Sequence, residues 1–315
     1  MNKKIAKGIL IAILSVILIT LGASVFMIFY SLKPLHRGLN IEQSYTDMYE
    51  RYPYLEGWVD SLKQEKALKD TFLLNSNGVK LTGYYISAAQ PTTKTALIIH
   101  GYTDNAIRML MIGYLYNKDL GYNVVLPDLQ YHGLIEGTTI QMGWKDRLDA
   151  QEWRNLAINK YGPETKLVVH GISMGAATTM MLSGEEQPQQ VKCYIEDCGY
   201  TSVWDEFSQE LKVRFNLPAF PIMYTTSWLC DLIYDWNFKE ASALEAVKRC
   251  NLPMFFIHGD EDTFVPTWMV YPLYEAKSQP KELWIVPGVE HAEAYLKEKE
   301  EYTKRVSDFL NKNLN

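Results

Sequence analysis

A serine flanked by small residues is the first candidate for chemistry in this sequence. Ser173 lies in the run Gly-Ile-Ser-Met-Gly at 171–175, which fits the pattern G-x-S-x-G. Alone the pattern is weak, because three fixed common residues recur by chance in about one chain in ten of this length. An apolar run ends just before it, and a helix-forming run, 176–182, follows. This setting predicts a tight strand-to-helix turn that exposes a nucleophilic hydroxyl at a helix N-terminus, whereas the alternative is an ordinary glycine-rich turn.

A nucleophilic serine needs a general base, and the chain has six histidines. His291 follows the last predicted strand and the loop start at 287–288, from which an imidazole can reach the strand ends. The alternative for His291 is a solvent-exposed loop position. The other five lie beside the N-terminal apolar segment, at predicted strand ends or in a loop before a glycine: His36, His100, His132, His170 and His258. We therefore predict that His291 is the base.

The third member of such a set is a carboxylate that orients the imidazole and stabilises its charged form. The loop after the penultimate predicted strand offers three consecutive candidates, Asp260, Glu261 and Asp262. The chain order of serine, carboxylate and histidine is that of α/β-hydrolases, and it differs from the chymotrypsin and subtilisin orders.

Short apolar runs around these residues predict the sheet that holds them. They lack polar alternation, as expected of strands buried on both faces of a parallel sheet: 95–99, 123–126, 166–169, 191–195, 254–257 and 282–286. Two β-rich runs, 71–74 and 79–87, flank a turn signal and predict an antiparallel hairpin. Helical patterns at 144–161, 174–183 and 292–314 alternate with the strands. The chain is therefore predicted to be an α/β protein with a mostly parallel sheet and helices on both faces.

One insertion between two late strands interrupts this alternation. Residues 199–251, the cap insertion, are rich in aromatic side chains and contain two prolines. We interpret the cap insertion as a small helical cap over the strand ends. Six of its aromatic residues could line an acyl-binding pocket, or they could simply pack in the core: Trp204, Phe207, Phe215, Phe220, Tyr224 and Trp228.

The N-terminal segment predicts a membrane anchor. Residues 8–30 contain no charged side chain, and a helix of that length can cross a hydrocarbon core of about 30 Å. The alternative is a cleaved signal peptide, because the residues at 22–24 are small, but the apolar run continues beyond them and exceeds the usual apolar region of about 7 to 15 residues. We expect an anchor at 1–30, a juxtamembrane helical lead-in at 31–69 and a catalytic domain at 70–315.

Charge and composition restrict the partners and the compartment. Lys3, Lys4 and Lys7 precede the apolar segment, and Lys33 and Arg37 follow it, which favours a cytoplasmic N-terminus and an extracytoplasmic catalytic domain. The net charge of -6, without a dense basic stripe, argues against a nucleic-acid partner. The four cysteines match no zinc spacing, so we expect no metal site.

Four motifs in order give the chain a resemblance to a known family. HGYTDN at 100–105, GISMG at 171–175, HGDEDTFVP at 258–266 and the final His291 resemble the α/β-hydrolase superfamily, notably its bacterial membrane-bound and cell-surface serine hydrolases. The resemblance covers about 70–312. It implies that Asp262 is the acid and that the backbone N–H groups of Tyr102 and Met174 form the oxyanion hole. In one further loop of the family, Arg and Gly are common at the positions where this sequence has Gln130 and Tyr131.

The resemblance implies a serine hydrolase that cleaves carboxylic esters through an acyl-enzyme and needs no cofactor. Its substrate would be a small-molecule or lipid-like ester. A peptidase or amidase is the alternative within the same fold, because one fold hosts both reactions. A non-catalytic surface binding protein is the alternative outside enzymes. Because the anchor supplies no catalytic group, we expect a chain that starts near Glu42 to be soluble and active.

Overall fold

Three helices precede the sheet in the computed structural model, which describes residues 3–35, 40–135 and 137–314. They are α1 (Lys3–Leu32), α2 (Ile41–Arg51) and α3 (Leu55–Gln64). Asn40 caps α2 by accepting a hydrogen bond from the Gln43 backbone N–H at 3.0 Å. His36 and Arg37, both used in the sequence analysis, lie outside the described residues.

A mixed sheet forms the centre of the protein. In the described part of the chain it has eight strands in the order β1-β2-β4-β3-β5-β6-β7-β8. The first two form the predicted antiparallel hairpin, β2 also pairs antiparallel with β4, and the remaining pairs are parallel. The bounds are β1 (Leu68–Leu74), β2 (Lys80–Ile86), β3 (Lys94–Ile99), β4 (Asn123–Pro127), β5 (Lys166–Ile172), β6 (Val191–Asp197), β7 (Met254–Gly259) and β8 (Lys281–Val286).

Helices cover both faces of this sheet, which explains the unbroken apolar strands. Along β3, Leu97 and Ile99 pack into one core, whereas Ala96 and Ile98 pack into the other. Successive side chains of a strand point to opposite faces, so a strand between two helical layers must be apolar at every position. The helices after β3 are α4 (Leu110–Tyr114, continued by a π-helical turn to Asp119), α5 (Asp146–Tyr161), α6 (Met174–Ser183), α7 (Val203–Phe215), α8 (Ile222–Tyr234), α9 (Ala243–Val247), α10 (Val270–Ala276), α11 (Ala294–Lys297) and α12 (Lys299–Asn313).

The α/β-hydrolase fold predicted from the sequence is confirmed, with two local corrections. The single C-terminal helix expected at 292–314 is wrong, because Glu298 leaves the helical conformation and separates α11 from α12. This break accompanies an edge-to-face contact of 5.3 Å between the buried rings of Tyr295 and Tyr302. In the cap insertion, α9 lies back against α6, where Ala246 contacts Gly184. Within the cap insertion, α9 is therefore part of the packing around α6, and α7 and α8 remain as the cap helices.

The C-terminal end of α1 packs against the rest of the protein, although a chain that starts near Glu42 is expected to be soluble and active. Ser24, Ile28 and Leu32 recur every four residues and are buried along one face. The Ser24 hydroxyl lies 2.5 Å from the Thr225 hydroxyl on α8. The Leu32 carbonyl accepts a hydrogen bond from the Ile140 N–H at 2.9 Å. By length and composition α1 can cross a membrane, a property that a signal sequence shares.

A buried histidine on β5 links two tyrosines of the same core layer. His170 is fully buried between the hydroxyl groups of Tyr116, at 3.1 Å, and Tyr302, at 3.0 Å. The Tyr302 hydroxyl donates to Asp197 at 2.9 Å, so it accepts from His170 Nε2, and Nδ1 accepts from Tyr116. This pattern requires a neutral imidazole, and burial lowers the pKa of His170 to about 3.

We predict that His170 makes the protein sensitive to acid. Unfolded His170 takes up a proton below about pH 6.5, whereas the folded state resists until about pH 3, so stability is lost as the pH falls through that window. Relative to His170→Gln, the wild type should lose about 2 kcal/mol more unfolding free energy between pH 7 and pH 5. Urea unfolding in a mild detergent measures this difference. Tyr116→Phe is the control and should keep the wild-type pH step, and equal steps in wild type and His170→Gln would refute the assignment.

Candidate active site

Ser173 occupies a strained turn between β5 and α6. Its φ of 57° and ψ of -120° lie outside the regions that a residue with a side chain normally adopts. Two glycines make the turn possible, because a Cβ on Gly171 would lie 2.0 Å from the Gly175 carbonyl oxygen, and a Cβ on Gly175 would lie 2.1 Å from the Ile99 carbonyl oxygen. The glycines at both ends of the motif are therefore steric requirements, and such a backbone costs of order 1–3 kcal/mol.

The structure brings Ser173, His291 and Asp262 together in one hydrogen-bonded line. His291 Nε2 is 2.8 Å from the Ser173 hydroxyl oxygen, and Nδ1 is 2.6 Å from Asp262 Oδ2. With the proton on Nδ1, the imidazole donates to Asp262 and accepts from the serine hydroxyl. This arrangement is the one in which a histidine can remove the serine proton.

Backbone groups and a second histidine hold Asp262 in place. Asp262 Oδ1 accepts hydrogen bonds from the N–H groups of Phe264, at 3.0 Å, and Val265, at 2.9 Å. His258 Nε2 donates to the Val265 carbonyl at 2.9 Å and lies 3.4 Å from Asp262 Oδ2. Burial acts to raise the pKa of Asp262, but the interactions with His258 and His291 outweigh it and hold that pKa below its usual value. Asp262 is therefore an ionised partner for His291.

The other two carboxylates of the loop do not reach His291. Asp260 Oδ1 accepts a hydrogen bond of 2.6 Å from the Gly288 N–H, which joins the loop after β7 to the loop after β8. Glu261 is exposed to solvent. The geometry thus separates three consecutive acids into one that contacts the imidazole, one that joins two loops and one that faces water.

Two of the histidines set aside in the sequence analysis, His100 and His132, belong to the loops around the serine. His100 Nδ1 donates to the Gly101 carbonyl at 2.8 Å, and Nε2 accepts from the Leu129 N–H at 2.9 Å. Burial lowers the pKa of His100 to about 4, so it stays neutral. The His132 ring packs edge-to-face on His100 with the ring centres 4.8 Å apart. His100 therefore connects the loop after β3 to the loop after β4.

Tyr102 and Met174, the oxyanion donors that the family resemblance implies, both lie beside Ser173. A Cβ on Gly101 would lie 3.4 Å from Ser173 Cβ, which shows how closely this loop approaches the serine. Met174 is the first residue of α6, so its N–H is one of the unpaired amides at a helix N-terminus. The Tyr102 hydroxyl donates to the Ser31 carbonyl on α1 at 2.8 Å, so this side chain joins the loop to α1.

A pocket of about 310 Å³ opens beside Ser173 and is lined mostly by apolar side chains from α1, α7 and α8. Of the six aromatic residues proposed for acyl binding, Phe207 and Phe215 line it. The expectation is wrong for the others. Trp204 packs against Tyr224 at 4.9 Å, and the remaining three point outward, with exposed fractions of 72% for Phe220, 49% for Tyr224 and 56% for Trp228.

Glu206 is a polar feature of the pocket that the sequence analysis missed. Its side chain lines the pocket and is only 3% exposed. Within the described residues its Oε2 has no hydrogen-bond partner, and burial raises the pKa of this carboxyl well above its usual value. Glu206 lies in the first turn of α7, where an acidic residue is common because it interacts favourably with the positive end of the helix dipole. Nothing in the sequence therefore indicates that Glu206 points into a pocket.

Cys198 lies next to the hydrogen-bonded line but does not suit a metal site. Its sulfur, an Asp262 oxygen and a His291 nitrogen lie within 4.8 Å of one another. Burial raises the pKa of Cys198 well above its usual value, whereas a metal ligand must be a thiolate. Asp262 and His291 are already hydrogen-bonded to each other. All four cysteines are buried free thiols.

Comparisons with known proteins bear on the family and the fold of the chain. The model of the prolyl oligopeptidase family matches residues 116–315. The chain is 31% identical to the uncharacterized protein YqkD of Bacillus subtilis over 247 residues, 78% of this chain and 80% of that protein. The Pyrococcus furiosus esterase Pf2001 is 26% identical, with a TM-score of 0.64 over 79% of this chain and 93% of its own. Pyrococcus horikoshii acylaminoacyl peptidase shares the fold at 15% identity, with a TM-score of 0.58 over 80% of this chain and 43% of its own.

The separation of the acids predicts different effects for two matched substitutions. Asp262→Asn should lower kcat for a nitrophenyl ester by up to about 10⁴-fold, because the amide favours the wrong imidazole tautomer. Asp260→Asn should change kcat only a few-fold, since its amide oxygen can still accept from Gly288. In both variants the melting temperature should stay near that of the wild type. A crippled Asp260→Asn beside an active Asp262→Asn would contradict the assignment.

Proposed function

The chain belongs to the prolyl oligopeptidase family and is a serine hydrolase of the α/β-hydrolase fold, and we propose that it cleaves carboxylic esters through an acyl-enzyme. The observation that carries the proposal is the hydrogen-bonded line from Ser173 through His291 to Asp262. In this proposal Ser173 is the nucleophile, His291 the general base and Asp262 the acid that orients the base.

The proposed reaction has two half-reactions. His291 Nε2 takes the proton from the Ser173 hydroxyl as its oxygen attacks the ester carbonyl carbon, and the backbone N–H groups of Met174 and Tyr102 donate to the resulting oxyanion. Asp262 stabilises the imidazolium, which then protonates the departing alcohol. A water molecule, deprotonated by His291, attacks the acyl-enzyme and releases the carboxylic acid with the proton restored to Ser173.

The lining of the pocket supports an ester substrate with an apolar acyl group. Met27, Phe207 and Phe215 contribute to its walls beside Ser173. Burial of each CH₂ of an acyl chain contributes roughly 0.8 kcal/mol, so a chain of moderate length gains useful binding energy there. The 26% identity to a structure described as an esterase points the same way.

A peptidase or amidase is the second candidate, and Glu206 is the observation that favours it. The Glu206 Oε2 atom has no hydrogen-bond partner in the described part of the chain, and a carboxyl oxygen that faces a substrate pocket can bind an amine or another donor of a substrate. The same serine and histidine would then cleave an amide.

The proposed location of the enzyme follows from α1. We place the chain in the cell membrane as a single-pass protein, with α1 as its anchor and the catalytic domain outside the cytoplasm. The apolar composition of α1 and the three N-terminal lysines support this placement.

Replacement of the nucleophile should abolish the reaction. Ser173→Ala should remove labelling by a fluorophosphonate probe and lower ester hydrolysis more than about 10⁴-fold, because no other group can form the acyl-enzyme. Gel fluorescence and a nitrophenyl ester assay measure the two effects. Ser208→Ala is a matched control, since among the described residues this hydroxyl has no hydrogen-bond partner. Retained labelling of Ser173→Ala would move the nucleophile elsewhere, and an unlabelled wild type would favour a non-catalytic binding protein.

A substrate panel should separate the two candidate functions. Nitrophenyl esters of short to medium acyl length should give a kcat/KM at least about tenfold above that of aminoacyl anilides, because the pocket is apolar. Steady-state kinetics on both series measures the ratio. Efficient anilide cleavage with inert esters would overturn the ester proposal, and loss of that cleavage in Glu206→Gln would support the peptidase instead.

A further inference from the structure

Large apolar side chains form an exposed stripe on the outside of α8. Tyr224, Trp228 and Leu232 recur every four residues, and Phe220 continues the row through a ring contact of 5.8 Å with Tyr224. Their exposed fractions reach 72% at Phe220 and 68% at Leu232. We call these four residues the outer stripe. A contiguous apolar patch of this kind on a water-soluble surface marks a site of contact with a protein or a membrane.

The outer stripe is continuous with the apolar surface of α1. α8 packs beside the C-terminal end of α1, where the Ser24 hydroxyl donates to the Ile222 carbonyl at 3.4 Å. Phe26 and Tyr30 of α1 make edge contacts with Phe215 of α7, at 6.4 and 5.5 Å, and remain about half exposed. One apolar surface therefore runs from the anchor helix onto the cap insertion.

The length of α1 sets the depth of this surface. The uncharged stretch begins at Gly8. A hydrocarbon core of about 30 Å takes about 20 helical residues, so the part of α1 that lies inside the core would end near Met27. Ser24, which contacts α8, is less than one helical turn away. This position is the boundary between acyl chains and headgroups, where tryptophan and tyrosine are enriched in membrane proteins. The charged residue within α8, Asp231, lies toward its C-terminal end.

The same turns of α1 form a wall of the substrate pocket. Met27, Tyr30 and Ser31 line the pocket together with Ser173 and Phe215. The pocket is therefore built partly by the helix that would cross the membrane, at the level where that helix leaves the hydrocarbon core.

We propose that the outer stripe lies in the surface of the lipid bilayer and that the substrate is a lipid ester which reaches Ser173 directly from the membrane. The outer stripe extends the lipid contact of α1, and the pocket receives the acyl chain without its passage through water. This inference rests on the proposed esterase function for its substrate, but not for the membrane contact.

The first experiment measures the membrane contact without catalysis. Cysteines introduced by Trp228→Cys and, as a control on β1, by Phe72→Cys carry an environment-sensitive nitrobenzoxadiazole dye, since the native cysteines are buried. The full chain is reconstituted in vesicles of phosphatidylcholine and phosphatidylglycerol. The dye at position 228 should shift to the blue and be quenched by spin-labelled lipid, whereas the dye at position 72 should remain in water. Equal behaviour of the two sites, or cross-linking of position 228 between two copies, would overturn the proposal.

The second experiment tests access of the substrate from the membrane. The double substitution Phe220→Ser and Trp228→Ser should lower hydrolysis of a fluorogenic long-chain lipid ester in vesicles about tenfold. The lost apolar area weakens the binding of the cap insertion to the bilayer surface. Hydrolysis of soluble nitrophenyl butyrate should stay within about twofold, since neither side chain lines the pocket. Phe72→Ser with Leu74→Ser, two exposed positions on β1, is the matched control and should leave both rates unchanged.

The two substrates distinguish failure of this inference from failure of the proposed function. An equal loss on both substrates, or no loss on either, would overturn access from the membrane. If the wild type hydrolyses neither ester, the esterase function has failed, and the fluorescence experiment still decides whether the outer stripe contacts lipid.

Discussion

The close approach of α6 to β3 and β5 is the constraint on which the rest of the site depends. Without side chains at Gly171 and Gly175, the backbone of the turn can touch the Ile99 carbonyl, and Ser173 is forced into its strained conformation. The same approach puts the start of α6 and the loop after β3 on either side of the serine oxygen. The position of the Ser173 hydroxyl and of the amides near it thus follows from one packing contact between a helix and two strands.

A second requirement is the compensation of buried charge next to this turn. Asp262 is buried and ionised, and it remains so because two backbone amides and two histidines surround it. Glu196 lies behind this group, and burial raises its pKa to about 8 despite the opposing effect of His258. One carboxyl is therefore kept charged by its hydrogen bonds while its neighbour is held largely neutral by burial.

The sequence predicted those parts of the protein that follow local rules. Strands such as β3 and β5 were recognisable because burial on both faces leaves them wholly apolar, and the chain order of Ser173 and His291 follows from the order of the strands. The direction of the cap aromatics was not predictable, because burial does not follow hydrophobicity along α8. The helix buries Thr226, Ser227 and Cys230, whereas Trp228 and Leu232 are exposed. The packing of Ser24 on Thr225 was also hidden, since 201 residues separate the two hydroxyls.

The hydrogen bond from the Tyr102 hydroxyl to the Ser31 carbonyl connects α1 to the loop beside Ser173. Tyr102 contributes its backbone to the loop beside Ser173 and its hydroxyl to α1, so one residue spans both. A single-pass helix tilts when the thickness of its bilayer changes. In the proposed membrane-anchored enzyme, any tilt that moves the Ser31 carbonyl pulls on this loop and changes the spacing of the proposed oxyanion donors. Bilayer thickness would then be a variable of the turnover rate, independent of the concentration of substrate.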